Sequence, residues 1–69
     1  MNIERLVTMA NDIAAAFSAE PDREEAVAAI AAHLERFWDP VMRAQIKAHC
    51  ASGGAGLDAA AAGAVSKLL

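Results

Sequence analysis

The side chains that could do catalytic or metal-binding chemistry are few in this 69-residue sequence. Two histidines, His33 and His49, and one cysteine, Cys50, are the candidates for a metal site. A structural zinc site takes four ligands, commonly in two close pairs, and these three scattered residues do not supply them. We interpret His33 as a residue at the edge of an apolar helix face and Cys50 as a small buried side chain.

Nucleophilic catalysis has no recognisable motif in the sequence either. It needs a nucleophile, a base and an orienting group held in one pocket. The available nucleophiles, none of them in a G-x-S-x-G or similar setting, are Ser18, Ser52, Ser66 and Cys50. A helical chain of this size also leaves little room for a pocket of about 300 Å³. We predict that the chain is not itself an enzyme.

The glycine-rich stretch 53–56 (Gly-Gly-Ala-Gly) lacks the Lys-Ser/Thr of a P-loop and the preceding strand of a dinucleotide site. It is therefore interpreted as a helix stop followed by a turn. The acidic, alanine-rich outline is also similar to acyl carrier proteins. Their cofactor is attached to a serine that follows an aspartate, and Asp58 is followed by Ala59, so this resemblance fails where the chemistry requires it.

The composition indicates a small, acidic, alanine-rich domain with a thin core. Hydrophobic residues make up 57% of the chain, but 19 of them are alanines, whose methyl groups bury little area. The net charge of −3 excludes the basic footprint of a nucleic-acid-binding domain. The single cysteine cannot form an internal disulfide, and the longest apolar run, residues 26–32, is far too short to span a membrane. We expect a soluble, cytoplasmic protein.

Two prolines and the glycine cluster divide the chain into four pieces, and each piece predicts a helix. The predicted helices cover 3–18, 22 to about 37, 39 to the glycines, and 58–69. Alternating apolar runs are absent, which argues against strands. The predicted N-caps are Asn2, Asp22, Asp39 and Asp58. The fold class is therefore all-α, a single domain over 1–69 forming a bundle of three to four helices.

Apolar residues at steps of three and four define the predicted core face of each helix. They are Ile3, Leu6, Val7, Ala10, Ile13, Ala14 and Phe17, then Val27, Ile30, Leu34 and Phe37, then Met42, Ile46, His49 and Cys50, and finally Ala61, Val65 and Leu68. The outer face of the second helix carries Ala28, Ala29 and Ala32. Alanine is a common helix-forming filler, and the functional alternative is a smooth surface that lets another chain approach closely.

The segment from Phe37 to Arg43 holds two of the three aromatic residues, a proline, a methionine and an arginine. It has two compatible interpretations. Trp38 closes the bundle at a helix corner, or it anchors a partner, because Trp and Arg are enriched at interface hot spots.

Three stretches of the sequence resemble the delta subunit of NAD-dependent formate dehydrogenase. They are NIERLVTMAN at 2–11, HLERFWDP at 33–40 followed by Met42 and Arg43, and GGAGL at 53–57. They occur in the family's order and at similar spacing over almost the whole chain. The chain departs from the family pattern at Val41, where a basic residue is expected, at Ala55, and at Ala59-Ala60.

The resemblance implies an accessory subunit of a soluble, cytoplasmic, molybdenum- or tungsten-containing enzyme that oxidises formate and reduces NAD. The alpha subunit of that enzyme carries bis-molybdopterin guanine dinucleotide and iron–sulfur clusters. Its beta and gamma subunits carry flavin (FMN), further clusters and the NAD site. The resemblance implies that the delta subunit binds none of these cofactors and that its role is structural.

We accordingly predict a non-catalytic subunit that docks on the catalytic alpha subunit, with beta and gamma in the same complex, and that contacts neither nucleic acid nor membrane. The predicted docking edge, with the glycine turn beside it, consists of Phe37, Trp38, Asp39, Pro40, Met42, Arg43, Gly53, Gly54, Gly56 and Leu57. The alternatives are a transient assembly factor for cofactor insertion and a free-standing homodimeric helical protein.

Overall fold

The structure, a computed structural model, describes residues 2–68. This part of the chain contains four α-helices and no strands. The helices are α1 (Ile3–Ala16), α2 (Arg23–Phe37), α3 (Pro40–Ala51) and α4 (Ala59–Ser66). The all-α fold class predicted from the sequence is confirmed. The first helix ends two residues earlier than predicted, and the last helix ends at Ser66, before the predicted end at residue 69, which lies outside the described residues.

Short polar side chains fix the starts of α1 and α3. Asn2 Oδ1 accepts a hydrogen bond from the Glu4 amide at 2.7 Å. Asp39 Oδ1 accepts one from the Met42 amide at 2.9 Å, and Pro40 occupies the first helical position. Each bond satisfies a backbone N–H that the first turn of a helix leaves unpaired, so both predicted caps are confirmed.

The start of α2 shows the predicted cap with one change of partner. Asp22 Oδ1 accepts from the amides of Glu24 at 2.9 Å and Glu25 at 3.3 Å. The Asp22 amide N–H donates to Glu20 Oε1 at 3.1 Å, and not to Glu25 as in a capping box. Asp58 stands at the N-cap of α4, but its side chain makes no capping hydrogen bond.

The short helix α4 lies at the centre of the bundle. It packs against each of the other three helices, most extensively against α2, whereas α2 and α3 make little contact with each other. Its two buried alanines, Ala61 and Ala64, allow this because their neighbours can approach closely. Gly63 faces the side chain of Val27, where an added methyl would lie 3.6 Å from both Val27 methyl groups, an ordinary van der Waals distance.

The core closes tightly, although few of its side chains are large. The solvent-accessible surface is 4242 Å², close to the roughly 4100 Å² typical of a compact monomer of this mass. The largest fully buried side chains are Leu6, Ile30, Leu34, Ile46 and Val65. The thin core expected from the composition is therefore a matter of side-chain size and not of loose packing.

The predicted core faces are confirmed except at Phe37, which is 66% exposed, and at His49, which is half-buried and bonds to the Ala55 carbonyl. The inward stripe of α2 runs through Val27, Ile30 and Leu34 and continues at Trp38, four residues further on, which is only 5% exposed. Trp38 has left the helix and adopts an extended conformation (φ −92°, ψ 138°). This change of direction carries the indole into the core and leaves the ring of Phe37 outside.

Candidate docking surface

The corner between α2 and α3 is built around the buried indole of Trp38. Its backbone N–H donates to the Leu34 carbonyl at 2.9 Å and completes the last turn of α2. The next two residues, Asp39 and Pro40, start α3 and are both exposed. Of the two interpretations of Trp38, the structure shows a side chain that closes the bundle, with little surface left for a partner.

Arg43 ties the two helices of this corner together. Its Nη1 donates to the carbonyl of Glu35 at 3.1 Å and also to the carbonyl of Trp38. The last carbonyls of an α-helix have no partner within the helix, and the C-terminal end carries a partial negative charge. The guanidinium therefore acts as a cap on α2 and holds α3 against it.

Two large apolar side chains are exposed at the corner, beside the exposed carboxylate of Asp39. Phe37 and Val41 are each 66% exposed, and they are the large hydrophobic residues with high exposure in the described part of the chain. The His33 ring lies 4.7 Å from the Phe37 ring, centroid to centroid, and 6.4 Å from the ring of Phe17 at the end of α1. We call Phe17, His33 and Phe37 the aromatic ridge.

A cation borders the aromatic ridge. The guanidinium carbon of Arg36 lies 5.7 Å from the centroid of the Phe37 ring, within the range of a cation–π interaction. Arg36 is itself exposed, so its N–H groups remain open to solvent. Sequence analysis did not place His33, Phe17 or Val41 on the docking surface. The four-residue step from His33 to Phe37 was the available signal, because residues so spaced are neighbours on a helix.

The glycine turn is a fixed structure. Gly53, Gly54 and Gly56 all have positive φ values, between 65° and 117°, which favour glycine. His49 Nε2 donates to the Ala55 carbonyl at 2.8 Å and ties the turn to α3. A methyl group at Gly56 would lie 3.3 Å from Val7 of α1, so the turn packs closely on that helix.

Asn11 fastens the same turn to α1, a role that sequence analysis missed. Its Nδ2 donates to the Gly56 carbonyl at 2.8 Å, and its Oδ1 accepts from the Asp58 amide at 2.9 Å. One amide side chain therefore satisfies both a carbonyl and an N–H across 45 residues of sequence. The Asp58 side chain makes no such bond, so Asn11 is what holds the start of α4 in place.

The structure separates the two parts of the predicted docking edge. The corner lies at the beginning of α3 and the glycine turn follows its end. A helix of 12 residues is about 18 Å long. The glycine turn therefore lies about the length of α3 from the corner and not directly beside it. Its inclusion in the docking surface stays a prediction.

Open clefts on the surface are larger than we expected for so small a chain. One of about 490 Å³ lies between the end of α1 and the start of α2, lined by Phe17, Pro21 and Ile30 among others. Another of about 350 Å³ lies beside the glycine turn, lined by Val7 and His49 among others. Ser18, Glu20 and Asp58 also line the first cleft.

The described residues contain no group of three or more His, Cys, Asp and Glu side chains that could hold a metal ion. The Cys50 thiol is half-buried and points to the carbonyl of Ala62 at 3.9 Å. Between residues 2 and 68, no helix combines the length and the apolar character needed to cross a bilayer.

These features define the class: a small all-α domain whose most distinctive external feature is an apolar helix corner. The chain belongs to the family of the NADH-dependent formate dehydrogenase delta subunit, FdsD, whose model matches residues 5–65. The family resemblance found in the sequence is thereby confirmed. No curated protein and no solved structure gives a significant match to the chain.

Proposed function

We propose that this chain is a non-catalytic accessory subunit of a cytoplasmic, NAD-dependent formate dehydrogenase, and that it docks on the catalytic alpha subunit and stabilises it. Family membership supports the enzyme complex. The observation that supports docking is the exposed apolar corner, because Phe37 and Val41 each present two thirds of their surface to solvent. Large apolar side chains exposed within five residues of each other favour an interaction site at this corner.

In this proposal the redox cofactors belong to the other subunits. The alpha subunit holds molybdopterin guanine dinucleotide and iron–sulfur clusters, and the beta and gamma subunits hold FMN, further clusters and the NAD site. This chain supplies no ligand to any of them.

The thin core gives docking an energetic benefit for the small chain as well. A partner that binds only the folded state stabilises it by RT ln(1 + [L]/Kd), which is about 2.7 kcal/mol at one hundred times Kd. A domain of 69 residues is stable by roughly 3–10 kcal/mol. Docking would therefore add a substantial fraction to the stability of this chain.

The corner is the docking site in this proposal, and its residues have two different roles. Phe37, Pro40 and Val41 are exposed and available to the partner. Trp38, Asp39 and Arg43 hold the corner in shape through burial, helix capping and the bonds to α2. Met42 packs partly against the core, and the glycine turn forms a second surface.

Purification of a tagged chain from its own host tests the proposal, with an unrelated protein carrying the same tag as the control. We expect the catalytic subunit in the eluate at one copy per copy of this chain, together with formate-dependent reduction of NAD. Absence of any molybdenum- or tungsten-containing subunit would refute the proposal. A chain found only with cofactor-free subunits, and lost from the active enzyme, would indicate a transient assembly factor instead.

A further inference from the structure

The outer face of α2 has a definite shape. Two rows of residues at four-residue steps run along it: Ala28, Ala32 and Arg36, and beside them Ala29, His33 and Phe37. The side chains on this face are small along the alanines and large at the C-terminal end of α2. A partner surface complementary to this face must protrude over the alanines and be recessed opposite Phe37.

The C-terminal end of this face combines aromatic and cationic chemistry. The centroid of the Phe37 ring lies 4.7 Å from the centroid of the His33 ring and 5.7 Å from the guanidinium carbon of Arg36. Both neighbours restrict the ring in a surface-exposed position, so a partner that encloses it loses less side-chain entropy than it would with an isolated phenylalanine. Arg36 keeps N–H donors free, and a guanidinium pairs best with a carboxylate.

We propose that the aromatic ridge, together with Arg36, inserts into an apolar pocket of a partner protein, and that a carboxylate of the partner at the rim of that pocket pairs with Arg36. This inference rests on the proposed function, in which the partner is the formate dehydrogenase complex. It specifies the chemistry of the receiving surface and extends the docking site from the corner to α2 and the end of α1.

A second copy of the chain fits this site less well than a different protein. A twofold symmetric contact centred on the ridge would bring Arg36 of one copy close to Arg36 of the other. Like charges at such a contact are repulsive. A symmetric contact centred further along α2, on Ala29 and Ala32, would leave Phe37 about 10 Å from the axis, at the rim of the interface.

The size of the chain sets a scale for the contact. A standard interface buries about 800 Å² on each partner, which is about a fifth of the 4242 Å² surface of this chain. In such interfaces a few central aromatic and arginine side chains account for most of the binding energy. Phe37 and Arg36 are side chains of these types, and they lie next to each other.

The test uses the formate dehydrogenase complex purified from a host that lacks the gene for this chain. Purified wild-type chain and variants are added, and binding is measured at low and at high salt. We expect Phe37→Ala to weaken binding at least tenfold. Arg36→Glu should weaken it at least tenfold at low salt and less at high salt, because salt screens an exposed ion pair. The matched control, Arg5→Glu at the other end of α1 from Phe17, should change binding less than threefold.

Two further measurements separate this inference from the proposed function. Circular dichroism should show Phe37→Ala to be folded, since the ring is largely exposed. If the wild-type chain binds, and Phe37→Ala and Arg36→Glu bind as tightly as the wild-type chain, the ridge is not the docking site, although the proposed function stands. If the wild-type chain does not bind, the proposed function itself fails. A wild-type dimer that Phe37→Ala converts to monomer would assign the ridge to self-association and overturn this inference.

Discussion

Replacement of Asn11 by alanine tests whether one side chain positions both the glycine turn and the start of α4. The change removes two hydrogen bonds, to the Gly56 carbonyl and to the Asp58 amide. It leaves α1 intact, because alanine is the best helix former. Any loss of stability therefore reports the contact between α1 and the turn.

The size of the effect follows from the number of bonds and their exposure. A typical intramolecular hydrogen bond contributes about 1 kcal/mol net, so two such bonds contribute about 2 kcal/mol. Both lie near the surface, where water can replace the lost partner, and alanine gains some helix propensity. We expect a net loss of about 1–1.5 kcal/mol, which is a fall in Tm of roughly 4–12 °C for a domain of this size.

Thermal unfolding followed by circular dichroism at 222 nm measures this effect. Asp12→Ala is the matched control, because Asp12 is the next residue of α1 and is exposed. Amide hydrogen exchange adds a local readout, since the Asp58 N–H should lose protection in Asn11→Ala before the amides of α2 do. Equal melting temperatures for Asn11→Ala and Asp12→Ala, with unchanged protection at Asp58, would show that the amide bridge does not hold the turn.

Four other substitutions have expected outcomes that the same unfolding assay checks. Gly63→Ala should raise stability by up to about 1 kcal/mol, because the new methyl would meet Val27 at an ordinary distance, and a destabilised variant would show that α4 and α2 cannot accept it. Gln45→Leu should raise Tm, since Gln45 Oε1 is buried without a hydrogen-bond partner among residues 2–68, and a lower Tm would contradict this. Trp38→Ala should cost about 3–5 kcal/mol, close to the whole stability of the domain, whereas Phe37→Ala should cost less than 1 kcal/mol. Similar losses for these two would refute the division of roles between them.

The helices were predictable because their signals are local. A short polar residue followed by an apolar stripe marked each start, and a proline or a glycine marked each break. The capping bonds of Asn2, Asp22 and Asp39 show the physical basis of those signals. Local signals could not predict that Glu20, and not Glu25, accepts the hydrogen bond from the Asp22 amide. Both carboxylates lie within three residues of that amide in the sequence.

The contacts between distant segments could not be predicted in the same way. The bond from Asn11 to Gly56 depends on how α1 and the turn meet in three dimensions, which no spacing in the sequence encodes. The centrality of α4 was hidden for a related reason. Its alanines carry a weak apolar signal, yet their small size is what lets the three longer helices pack around it.

The corner shows why adjacent aromatic residues can have opposite roles. A helix that continued through residue 38 would place Phe37 and Trp38 on neighbouring parts of one face, 100° apart. Proline at position 40 disfavours the helical conformation at Asp39, and the chain already turns at Trp38. The turn sends one ring inward and the other outward. The break between α2 and α3 therefore both completes the core and creates the exposed surface. Pro40 is the first residue of α3, so its substitution changes that break as well as an exposed side chain. A substitution of Phe37 changes the exposed ring alone and can be interpreted as a loss of partner contact.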